Sequence, residues 1–295
     1  MRILDMFFAL RPLVLVPAWS FFVLGQTLVR VPAPFPWLRF ILLSLVLAGV
    51  HLVNQVVDFE SDRVNAKGIF LQRDIFSRRL YLLVACTCMA AGLAVAATRN
   101  ASPGLLAAAT ALGLAYSLRP LRLAARPGLD LVANAAGYGG IALLLGAGEP
   151  ALPPTGSWWP RLSCCMLAVG AVFLHTTLLD EDGDRRTGKT TTGVTLGPAR
   201  TRAAAGILAL AAAAVAVHAQ AAVLLLAASA LALLAVGAVA WPARVASRTV
   251  CVAGTAIFVL AAGWRTPLFL AGVLGLAVAT RLYYKRRFDL AYPAL

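Results

Sequence analysis

Eight of the twelve acidic residues fall in two short clusters, Asp58-Glu60-Asp62-Asp74 and Asp180-Glu181-Asp182-Asp184, and each cluster follows a long apolar stretch. Asn54, Asp58 and Asp62 recur every four residues, which on a helix places their oxygens in one stripe along one face. Asp180 and Asp184 repeat that interval. Like charges at this spacing destabilise a helix by about 0.2–0.5 kcal/mol per pair, so the pattern calls for a compensating cation. Oxygen ligands without a Cys or His cluster favour Mg2+ or Ca2+ over zinc, and Mg2+ commonly combines one or two carboxylates with substrate phosphate. Glu60 and Glu181 lie off the stripe and are expected to be solvated or to support the ligands from outside.

The elements that must position these residues are membrane helices. The chain has 295 residues, 61% hydrophobic and 13% charged, with a mean hydropathy of +0.83. Soluble domains carry about 25% charged residues. Apolar stretches that approach or reach the 17–25 residues of a helical crossing recur along the whole chain. They fall at Leu13–Leu28, Phe40–Val57, Leu80–Ala97, Gly104–Leu118, Leu129–Gly146, Leu162–Leu179, Ala203–Val217, Ala221–Ala240, Val250–Ala262 and Leu268–Thr280. The ninth is short and reads as a re-entrant or tilted segment, or as part of one longer final element, so nine or ten crossings fit. The expectation is one all-α, polytopic transmembrane domain over residues 1–295.

Charge distribution orients the chain. With the loops alternated across the bilayer, only Arg30, Arg39, Arg99, Arg161 and Arg265 of the 26 Lys and Arg residues lie opposite the acid clusters. By the positive-inside rule the clusters face the cytoplasm of a cell inner or plasma membrane. The net charge of +14 points to an anionic leaflet and an anionic substrate. No basic domain interleaved with aromatics is present for nucleic acid, and no obligate protein partner is evident. Met1–Leu10 lacks a small-residue cleavage site, so no removed signal peptide is expected.

Other residues carry weaker signals. Cys86, Cys88, Cys164, Cys165 and Cys251 all lie in apolar spans and read as buried small hydrophobes, not as disulfides or zinc ligands. His51 shares a helix face with Asn54, and His175 precedes Asp180 by five residues; each is a candidate for acceptor binding or proton transfer, with a satisfied buried His as the plainer expectation. Asn134 and Tyr138 share one face of the fifth span and are placed to line a cavity. Trp158-Trp159 reads as an aromatic belt at the opposite interface, and Arg281–Phe288 as a cationic, aromatic interfacial anchor.

Three polar segments carry the remaining signal. The first holds Asn54, Asp58 and Asp62; the second reads Tyr116-Ser117-Leu-Arg119-Pro120-Leu-Arg122; the third holds Asp180, Asp184, Gly188-Lys189 and Leu196-Gly197. In this order and spacing they resemble the UbiA superfamily of intramembrane prenyltransferases, over most of the chain from Arg11 onward. Gln55 departs from the pattern, because many members carry an Asp there; an amide oxygen can still ligate but brings no charge and cannot act as a base.

The resemblance implies a bundle around a lipid-accessible central cavity, in which two acidic walls hold Mg2+ against a prenyl diphosphate. Asn54, Asp58, Asp62, Asp180 and Asp184 are the expected metal ligands. Lys189, Arg119 and Arg122 are expected to neutralise diphosphate oxygens, and Ser117 to hydrogen-bond one. Tyr116 is expected to turn its ring toward an allylic carbocation, an interaction worth about 2 kcal/mol when desolvated. The implied reaction moves the prenyl group to a small-molecule or lipid acceptor, with an aromatic, quinone-precursor-like ring ahead of other classes. A membrane terpene cyclase would use the same donor machinery. A divalent-cation transporter is the alternative from a different class, since intramembrane carboxylates often mark ion pathways.

Overall fold

The structure, a computed structural model, describes residues 2–29, 34–148, 156 and 158–292. Arg30 and Glu149 therefore lie outside the described residues. A short amphipathic helix α1 (Arg2–Ala9) leads into α2 (Pro12–Thr27), with a 57° bend between them. Arg11 forms the bend in a left-handed conformation (φ 54°), and Pro12 follows it at the first helical position, where its missing N–H costs nothing. Next come α3 (Trp37–Val57), then two short helices, α4 (Phe59–Val64) and α5 (Ile69–Gln72), then α6 (Arg78–Thr98) and α7 (Pro103–Ser117). Twenty-one residues of α3 rise about 31 Å, the thickness of a hydrocarbon core.

The fifth crossing is composite. It runs as α8 (Leu129–Asn134), a π-helical segment (Ala135–Ile141) and α9 (Ala142–Ala147). After it come α10 (Trp158–Leu179), the short α11 (Glu181–Arg186), α12 (Thr192–Ala216), α13 (Ala222–Gly237), α14 (Ala243–Gly263) and α15 (Pro267–Phe288). Among the described residues eight helices are long and apolar enough to cross a bilayer, nine if the bent α1–α2 pair is one span. All ten sequence spans coincide with helices. The expected short ninth span is corrected: α14 is an unbroken helix of 21 residues that begins at Ala243, its first turns carrying Arg244 and Arg248 past the apolar run.

Close packing depends on small residues. Where α2 crosses α9, a Cβ on Gly25 would lie 2.0 Å from the Leu143 carbonyl oxygen, and one on Gly146 would lie 1.8 Å from that of Phe22. Only hydrogen fits, as expected where helices pack without a hydrophobic drive between them. The first half pairs α3 with α6 and α7; the second packs α10 against α12, the π segment and α14. Outward positions such as Leu83, Ile207, Leu226, Leu233 and Leu268 are apolar and exposed. That is the pattern of a lipid-facing surface.

Two other expectations change. Arg281–Phe288 is the last part of α15 and not a free anchor: Tyr284 and Phe288 are buried in a cluster with Phe8 and Phe70. Buried Asp5 accepts hydrogen bonds from Tyr283 and from Arg287 (3.3 Å), tying α1 to α15. Trp158 is buried beneath Arg161, whose guanidinium carbon lies 4.9 Å from the ring centroid, whereas Trp159 is exposed as a belt residue would be. The five cysteines are all free, but Cys86 faces outward.

Candidate active site

Both acid motifs sit where a crossing helix ends and a short surface helix begins. Asp58 separates α3 from α4, and Asp180 separates α10 from α11. Backbone hydrogen bonds continue through each junction, Asp62 N to Asp58 O at 2.8 Å and Asp184 N to Asp180 O at 3.0 Å, so the four-residue stripe survives the break. Both short helices then end in the same way. Lys67 N reaches back to Asp62 O (2.7 Å) and Lys189 N to Asp184 O (2.8 Å), across Ala66 (φ 52°) and Gly188 (φ 70°). With the bonds from Ala66 to Arg63 and Gly188 to Arg185, each is a Schellman end that turns the following lysine back toward the carboxylates.

The two motifs meet. Ser61 donates to Asp184 Oδ1 at 2.8 Å, and Asn65 clasps the start of α11 by donating to Asp180 O (3.3 Å) and accepting from Gly183 N (3.1 Å). A Cβ on Gly183 would fall 2.4 Å from the Asn65 amide, so the clasp requires glycine there. The lysines are exchanged between motifs. Lys189 donates to Asp58 Oδ2 at 2.8 Å and lies 3.7 Å from Asp184, while Lys67 pairs with Asp180. Arg11 lies 3.6 Å from Asp62, and Arg122 lies 3.9 Å from the other oxygen of Asp58. Each of the four aspartates thus faces at least one cation.

Burial sets the electrostatics. Desolvation pushes the Asp62 carboxyl above its ordinary value despite Arg11 and Lys67, and does the same to Asp184 despite Lys189 and the Ser61 hydrogen bond. Burial alone would lower the Lys189 ammonium, but the Asp58 and Asp184 carboxylates outweigh it and the net shift is upward. Under this ring lies a cavity of about 400 Å3. Its far walls are apolar, from Val14, Pro17 and Phe21 of α2, Val169 and Phe173 of α10, and Phe258 of α14.

Most residues predicted from sequence converge here. Asn54, Asp58, Asp62, Tyr116, Asp180, Asp184 and Lys189 all line the cavity, as do Asn134 and Tyr138. Asn54 donates to Asp58 (3.1 Å) and to Ser117 (3.4 Å), which places Ser117 just behind the ring. Arg122 touches the ring through Asp58, but Arg119 is exposed and is not brought to the cavity. Gln55 also turns away, donating to Ala9 O at 3.2 Å. His175 is buried outside the cavity, its Nδ1 3.4 Å from Ser247 Oγ.

Sequence reasoning missed Arg11, Ser61, Asn65 and Lys67. For Lys67 a signal existed: it stands five residues after Asp62, as Lys189 stands five after Asp184. Asp130 is fully buried and binds the Thr192 backbone N–H (2.7 Å) and hydroxyl, fixing α8 to the start of α12.

The donor set is hard oxygen, from carboxylates and carboxamides. Among the described residues no three Asp, Glu, His or Cys side chains close around one point as a metal cage. The hard-oxygen donors themselves suit Mg2+, which keeps several waters and takes one or two carboxylates plus phosphate oxygens.

A helical membrane bundle whose paired acid loops close over an apolar chamber is the class of protein that this geometry defines. Residues 14–251 match the model of the UbiA prenyltransferase family, and the chain belongs to that family. A search of curated proteins finds no match. Among solved structures, a UbiA homologue from Archaeoglobus fulgidus bound to GPP and Mg2+ superposes with a TM-score of 0.70 at 16% identity, covering 90% of this chain and 98% of that one. A homologue from Aeropyrum pernix K1 gives 0.60 at 19% identity, covering 83% and 95%. A digeranylgeranylglyceryl phosphate synthase gives 0.62 at 15% identity, covering 93% and 100%. At these identities the likeness establishes the shared fold.

Proposed function

We propose that the protein is a Mg2+-dependent intramembrane prenyltransferase that moves a prenyl group from a prenyl diphosphate to an aromatic acceptor, with release of pyrophosphate. The observation that carries this reading is the closure of the two acid motifs over the apolar cavity, through Ser61 on Asp184 and Lys189 across Asp58 and Asp184. The family supports it, and so do the homologues bound to GPP or DMAPP with Mg2+.

Asn54, Asp58, Asp62, Asp180 and Asp184 would hold Mg2+. When bound, the metal supplies Lewis-acid polarisation and a template for the diphosphate. A magnesium diphosphate brings charge of both signs, so it can exchange with the internal ion pairs without leaving bare charge behind. Lys189, Lys67, Arg11 and Arg122 then turn from carboxylate to phosphate oxygens. Negative charge grows on the diphosphate as the C–O bond breaks, and these pre-placed cations stabilise that charge more than the ground state. Ser117 supports the ring through Asn54. The Tyr116 ring stands beside the prenyl carbon, and the apolar walls exclude water that would otherwise capture the cation as an alcohol. The acid motifs face the cytoplasm.

Pyrophosphate release from geranyl diphosphate tests this directly. It should require Mg2+, vanish with EDTA, and fall by at least about 100-fold in Asp58→Ala and in Asp180→Ala. Retained activity in both variants would refute the two-wall site. Cation flux in proteoliposomes without donor consumption would favour transport, and a cyclic hydrocarbon from donor and Mg2+ alone would favour a cyclase.

A further inference from the structure

One polar pair in the cavity has no part in holding the diphosphate. His51 stands three residues before Asn54 on α3, about 4.5 Å deeper along the helix axis. Its Nε2 lies 2.9 Å from the Tyr138 hydroxyl. Both residues line the main cavity, and both line an apolar side chamber of about 90 Å3 between α3, α7 and the π segment. The pair therefore faces the space just below the diphosphate level, where the first prenyl carbon and its partner must meet.

Tyr138 reaches this place by an unusual backbone. It lies in the π-helical Ala135–Ile141, and it is the one residue of that segment whose side chain can hydrogen-bond. Wide turns of this kind are rare and concentrate at functional sites. Here the segment is seated by Gly139, where a Cβ would stand 2.6 Å from the Cys165 carbonyl oxygen. The other basic groups are engaged. Asp58, Asp62, Asp180 and Asp184 face cations, Gln55 points at the Ala9 carbonyl, and His51 is the only imidazole among the described residues lining the cavity.

We propose that Tyr138 and His51 form the proton relay of the transfer step, with the Tyr138 hydroxyl meeting a hydroxyl of the aromatic acceptor. The proposal rests on the prenyl-transfer reading above. The acceptor hydroxyl gives its proton to Tyr138 Oη as the Tyr138 proton passes to His51 Nε2, leaving an imidazolium. The freed electron pair feeds the ring, whose carbon bonds to the first prenyl carbon of the cation left when the C–O pair departs with the diphosphate. The dienone so formed returns to a phenol when its ring proton moves to oxygen, and the imidazolium later releases its proton to water. Tyr138 is thus a catalytic residue, and His51 acts through it.

The test uses full-length protein with Mg2+, geranyl diphosphate, and phenol, 4-methylphenol or hydroquinone as acceptor probes. Tyr138→Phe and His51→Gln should lower acceptor-dependent kcat by about 10²–10⁴-fold, the usual contribution of a positioned base. Their Mg2+-dependent affinity for geranyl diphosphate, read by titration, should stay within about twofold of wild type. His51→Gly should regain transfer when imidazole is added, which a purely structural histidine would not show. Wild-type transfer rates in either conservative variant, or loss of donor affinity alongside transfer, would overturn the relay. If the wild-type protein releases pyrophosphate but prenylates none of the phenols, the relay falls while the donor site stands. If it releases none, the transferase reading itself fails and takes the relay with it.

Discussion

Lys189 shows how much of this site is decided by single side chains. Its amine is mostly buried and spans carboxylates from both motifs, so removing its charge strands Asp184 and leaves Asp58 with Arg122 alone. Lys189→Met, which keeps the apolar stem, should reduce turnover by about 100-fold and raise the KM for the donor, because the stabilisation of leaving-group charge is lost. Arg119→Ala should change turnover by less than about twofold, since that side chain is exposed outside the cavity and makes no contact with the ring. Initial-rate kinetics separate the two. The aspartate stripe was legible in sequence because its spacing matches the helix period. Arg119 and Arg122 were not separable that way: basic residues near the membrane surface look alike until the turn that aims them is known. Tyr138 was placed on the right helix face, but the π segment that brings it to His51 leaves no mark in hydrophobic periodicity.

Helix ends make the site more than helix middles do. The matched Schellman ends differ in one respect: the second uses Gly188 for its left-handed residue, and the first uses Ala66 at φ 52°. A left-handed conformation costs a residue with a Cβ about 1–2 kcal/mol. Ala66→Gly should therefore stabilise the protein by about 0.5–1 kcal/mol and leave donor affinity intact, whereas Gly188→Ala should destabilise it by a similar amount. Thermal unfolding in detergent measures both. At this scale the crossings could be read from apolar length alone. What failed was the ninth span, because Arg244 and Arg248 interrupt the apolar pattern while the backbone helix continues beneath them.

At the scale of the whole molecule, the acid loops belong to opposite halves of the chain, with α6, α7, the composite α8–α9 crossing and α10 between them. Their meeting follows from how those crossings pack and is invisible in either motif alone. The periphery is held differently. Buried Asp5 gathers Tyr283 and Arg287 and so fastens α15, which also packs on α14, α2 and Phe70 of α5, to the helix that precedes Arg11. Asp5→Ala leaves the two donors without their acceptor and should cost about 1–3 kcal/mol, seen as a lower melting temperature with Mg2+-dependent donor affinity retained.

The exchange of lysines has its own consequence. Lys67 answers a carboxylate in the second motif, and Lys189 answers one in the first. Neither loop is electrically self-sufficient, so each is tailored to the other. A chimaera built with another family member should therefore take both loops from one parent, since mixing them would break a match that neither parental sequence displays by itself.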